Sequence, residues 1–244
     1  MTGNWGIELK GAEADLTAWR MLLKPPFDPF VEEIKDERGD YLVLLSSAFQ
    51  GLATSTDVHA AAKPLLKTLN VAMAKNADAD PVTGGAAVEF VAGGPPRKHH
   101  VVEVETVTLK MRMGLATVTV TDADGKVVEP KPAPSRAQEW MRAAALVPDI
   151  GAALRYLEGK PGWVDLYKAY EALRKMPSGG LSDTEIRRFT QTANTEDRHH
   201  PNDKTKPHNR PMELWEARAL ITQWVSAAID DILAKNPLPP ATGP

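Results

Sequence analysis

Apolar residues recur along this chain at two different periods, and the change falls at one proline-rich stretch. Before it, short alternating runs dominate. Trp5, Ile7 and Leu9 share one face of a strand, and Tyr41, Val43 and Leu45 share another. Val107, Leu109, Met111 and Met113 alternate with Thr106, Thr108, Lys110 and Arg112. Val118 and Val120 alternate with threonines up to the turn residues Asp122, Ala123, Asp124 and Gly125. A period of two is that of a half-buried strand, and the last two runs suggest an antiparallel meander. Two helical patterns interrupt them. Leu16, Trp19 and Leu23 form one, and the other starts near Thr56 and runs through Val58, Ala62, Leu65, Leu66, Leu69 and Met73. Pro64 lies inside the second, which predicts a kink or a late start. Residues 1–128 therefore read as an α+β domain, its helices packed on one face of a mostly antiparallel sheet.

The stretch EPKPAPS, Glu129 to Ser135, reads as a linker. Beyond it the period is helical throughout. Ser135 with Gln138 has capping-box spacing and opens a helix through Trp140 and Leu146, which Pro148 ends or kinks. A short helix follows to about Glu158, with Gly159 after it. Trp163, Leu166, Tyr167, Tyr170 and Leu173 then form an apolar stripe. Ser182 with Glu185 repeats the capping box before Ile186, Phe189 and Ala193. Leu214, Ala217, Ile221, Trp224, Ala228 and Ile232 make a last amphipathic helix. Residues 136–236 thus read as an all-α helical bundle and 237–244 as a disordered tail.

Composition narrows the function classes. The 244 residues suit one large or two small domains, and 43% hydrophobic with 25% charged residues is ordinary for a globular chain. A formal net charge of −3 gives no reason to expect nucleic acid as an obligatory partner. The absence of cysteine excludes disulfides, thiolate nucleophiles and cysteine-bound zinc. With no leader pattern and no membrane-length apolar run, the chain reads as cytoplasmic.

Chemistry concentrates in RFTQTANTEDRHHPNDKTKPHNRP, residues 188–211. It carries Asn194, Arg198, His199, His200, Lys204, Lys206, His208 and Arg210 between two helical patterns. Residues 183–210 hold six Lys or Arg against five Asp or Glu, a nearly neutral loop rather than a basic arm. Imidazoles beside fixed cations suit general acid–base work on a phosphodiester. His199, His200 and His208 with Asp197 or Asp203 match zinc in residue type but follow no recognised ligand spacing, so neither a metal nor a cofactor is expected. His99 and His100, after Arg97 and Lys98, read as a solvated loop. TGGAAVEFVAGGPP is no dinucleotide fingerprint, and Ser46 and Ser47 lack a nucleophile elbow. The aromatics Trp163, Tyr167 and Tyr170 read as core rather than as a base-stacking platform.

The order of WVDLYKAYEAL, RFTQTAN, RHH and NRPMELWEA resembles the C-terminal half of an uncharacterised bacterial family with an α+β N-terminal half. That resemblance implies the architecture and no activity. Asn194, Arg198 and His199 are also similar in residue type to the site of HEPN domains, helical metal-independent ribonucleases. HEPN domains separate the arginine from the histidine by several residues, whereas Arg198 and His199 adjoin. Two expectations follow. In the first, the chain binds a protein partner or itself as a homodimer, and the loop is a structural junction whose Arg198 ties down helix-end groups. In the alternative, loop 194–210 cleaves RNA, with Arg198, His199, His200 and Asn194 as its catalytic residues.

Overall fold

The computed structural model of the chain describes residues 4–36, 39–100, 132–196 and 209–238. Contacts divide the chain into two compact units, Met1–Met141 and Arg142–Pro244.

Among the described residues the first unit is built on five antiparallel strands in the order β2-β3-β1-β4-β5. Strand β1 (Asn4–Lys10) is central, with Ile7 opposite Leu44 of β3 (Tyr41–Leu45) and opposite Ala87 of β4 (Thr83–Phe90). Strand β2 (Phe30–Ile34) pairs outside β3, and β5 (Arg97–His99) outside β4. Directly opposed residues share a face. Trp5, Ile7 and Leu44 therefore look one way, while Glu8, Val43, Val88 and Lys98 look the other. The two strand faces read in the sequence are thus opposite faces of one sheet.

Helix α1 (Glu13–Leu22) carries Glu13 and Asp15 in its first turn, matched to the helix dipole, and buries Trp19 completely. Helix α2 (Ser55–Ala77) is capped by Thr54, whose hydroxyl accepts from the Asp57 amide at 3.2 Å. It lies on the Ile7 face: a Cβ at Gly84 would stand 3.1 Å from Leu66 and 3.2 Å from Ile7. The late start expected at Pro64 does not occur, since the helix runs unbroken from Ser55. An interior proline costs about 3 kcal/mol. Buried Val58, Ala62, Leu66, Leu69 and Met73 hold the turns on both sides of it against the sheet.

Strands β2 and β4 form where no clean alternation marks them, and β5 forms where a solvated loop was expected at His99. The burial of β4 is a continuous run, Ala86, Ala87 and Val88, as both of its faces are covered. His99 is held in β5 by Glu89, its Nε2 3.1 Å from Oε2, and by the Trp5 ring at 5.2 Å. The expected strands over Val107–Met113 and Val118–Val120 lie outside the described residues.

Beyond Ser135 the described residues form only helices: α3 (Arg136–Leu146), α4 (Pro148–Tyr156), α5 (Trp163–Leu173), α6 (Asp183–Glu196) and α7 (Leu214–Lys235). Both expected capping boxes form. The Gln138 amide donates to Ser135 Oγ at 3.3 Å while the Ser135 amide donates to Gln138 Oε1 at 3.0 Å. Ser182 and Glu185 repeat the arrangement. Pro148 begins α4 rather than kinking α3.

The division between the units falls within α3, past the stretch read as a linker. Buried Gln138 explains why the first unit extends so far. Its Nε2 reaches the carbonyls of Lys24, Phe27 and Pro29 at 2.9, 2.9 and 3.0 Å. In the second unit Phe189 is fully buried, with the rings of Trp163, Tyr167 and Tyr170 centred 6.3, 6.4 and 5.7 Å away. Trp163 belongs to the core with Phe189, and Tyr167 and Tyr170 are half-buried against it. Among the described residues no helix is long and apolar enough to cross a membrane.

Candidate functional site

Arg198, His199 and His200 lie outside the described residues, as do His208, Asp197 and Asp203. Asn194 is half-buried in the last turn of α6. The structure does define the two chain ends between which they lie, and these are tied together by residues the sequence did not single out. Arg188, on α6, spends its guanidinium on the returning segment. Its Nε donates to the Arg210 carbonyl at 2.9 Å and Nη2 to the Pro211 carbonyl at 3.0 Å. Nη1 and Nη2 also reach the two carboxylate oxygens of Glu216 at 3.2 and 2.8 Å. One helical turn on, the buried Thr192 hydroxyl accepts from the Met212 amide at 2.9 Å.

Glu216 completes the junction. Its Oε2 accepts from the Glu213 amide at 2.8 Å, closing the first turn of α7. That backbone bond first, and then Arg188, holds its carboxyl below the usual carboxylate range. Arg188 thus anchors α6 to the returning chain, while the anchoring expected of Arg198 falls outside the described residues. The sequence signal for this tie is the spacing of Arg188 and Thr192, one turn apart on one face of α6.

Beside this fixed junction stands Trp215, 68% exposed in the first turn of α7. The other large exposed apolar side chains among the described residues are Leu146, Tyr156, Val164 and Leu238, and all five belong to the second unit. Arg218, one turn beyond Trp215, donates from Nε to the Pro161 carbonyl at 2.9 Å, which fixes the first turns of α7 beside the start of α5.

A second polar cluster lies on the sheet of the first unit. Glu8, 3% exposed on the central strand, accepts at Oε1 from Lys10 at 2.7 Å and Lys98 at 3.0 Å, and at Oε2 from the Ala86 amide at 3.2 Å. Lys98 Nζ also sits 3.2 Å from the centre of the Tyr41 ring. Residues of four strands meet there. Gly85 makes the room, since a Cβ on it would stand 2.8 Å from Glu8 Oε2. Burial pushes the Glu8 carboxyl up, but Lys10, Lys98 and the Ala86 amide outweigh it and hold the group below its ordinary value. Burial first, then the charges of Asp36 and Glu8, raise the Tyr41 phenol. Glu8 is thus an ionised carboxylate with both oxygens occupied, suited to holding strands together rather than to moving protons.

No group of three or more His, Asp or Glu able to hold a metal occurs among the described residues. Set against protein-family models, curated proteins and solved structures, the chain finds no match in any of the three.

Proposed function

We propose that the chain is a protein-binding module whose contact surface is on the helical unit, centred on Trp215. The observation that carries this reading is the 68% exposure of that indole on a junction pinned by Arg188 and Thr192. Large apolar side chains grouped at the surface mark sites of association, and tryptophan is prominent among residues that dominate binding energy. A rigid base adds to this, because little ordering entropy is lost when a partner docks. The RNA-cleaving alternative rests on the types of Arg198 and His199 alone.

The test is p-benzoylphenylalanine placed at position 215 in the full chain, expressed in its own cells, with exposed Gln50 on the first unit as control. Irradiation is expected to give a discrete protein adduct from 215 and none from 50. An adduct with a second protein or with another copy supports a binding module. No adduct at 215, or equal labelling from both positions, overturns it.

A further inference from the structure

We draw no further inference here: the strongest candidate, the apolar surface patch around exposed Trp215 in the first turn of α7, belongs to the binding site already described, and nothing in the structure shows which partner covers it.

Discussion

Asn70 offers the sharpest test of how the first unit holds together. It lies on α2, 8% exposed, and its amide acts as a short strand toward the residue that precedes β4. Nδ2 donates to the Val82 carbonyl at 3.0 Å, and Oδ1 accepts from the Val82 amide at 2.8 Å. Val82 is itself 1% exposed, so water cannot replace either bond. Asn70→Ala leaves one buried N–H and one buried C=O unpaired. At about 1–3 kcal/mol for each such group, the unit should lose roughly 2–6 kcal/mol. Asn70→Asp separates the two bonds. The carboxylate still accepts from the Val82 amide but sets a negative oxygen against the Val82 carbonyl, so the folded state favours the protonated acid. Its folded pKa then rises above the unfolded value of about 3.9. Stability of this variant is fullest below that value and falls as pH rises through the folded pKa. Hydrogen exchange of the β1 amides reads the first unit separately from the second. A loss under about 0.5 kcal/mol for Asn70→Ala, the size of an ordinary surface change, would refute the argument, as would an Asn70→Asp penalty that does not ease in acid.

Further expectations concern the other anchors. Glu8→Gln removes the counter-charge of Lys98 and should destabilise the first unit by roughly 2–4 kcal/mol near neutral pH. Because the Glu8 carboxyl is held low when folded, its contribution is present above the unfolded value and lost as pH falls through the folded one, so the variant should also show a shallower acid limb in urea titrations. Arg188→Lys keeps the charge but loses the paired contact to Glu216 and one or more carbonyl bonds; a drop in melting temperature with faster exchange at Met212 is expected, and a wild-type melt would contradict the role given to the guanidinium. Arg198→Ala and His199→Ala, assayed on a mixed RNA pool beside the wild type, should leave nothing to distinguish them; cleavage by the wild type that both variants lose would support the ribonuclease reading instead.

The legibility of the sequence followed the physics of each element. Helices α5, α6 and α7 could be read because a surface helix leaves a one-sided apolar stripe, and the Ser182–Glu185 cap fixed where α6 starts. Strand β1 was legible through Trp5, Ile7 and Leu9, yet alternation implied that Glu8 faced water. It is buried because Lys98, ninety residues later, crosses to it, and no local period carries that information. Strand β4 escaped notice for a related reason: TGGAAVEF is buried on both sides, so it does not alternate, and its glycines are the space into which Leu66 and Glu8 pack.

At the candidate site the described tie between the helices comes from residues that residue type alone did not mark. Arg198 drew attention because it sits among histidines, and the structural reading gave it the task of holding helix ends. Holding a returning chain requires a donor fork at a fixed distance from it, which a residue inside a rigid helix supplies. Arg188 meets the requirement, reaching two carbonyls and a carboxylate from the middle of α6, with Thr192 one turn on securing Met212. Trp215 follows three residues after Met212, so the same clamp that joins α6 to α7 also fixes an exposed indole in place. Under the binding reading, an apolar anchor of that size, fixed by polar bonds rather than buried for stability, loses little ordering entropy when a partner docks on it.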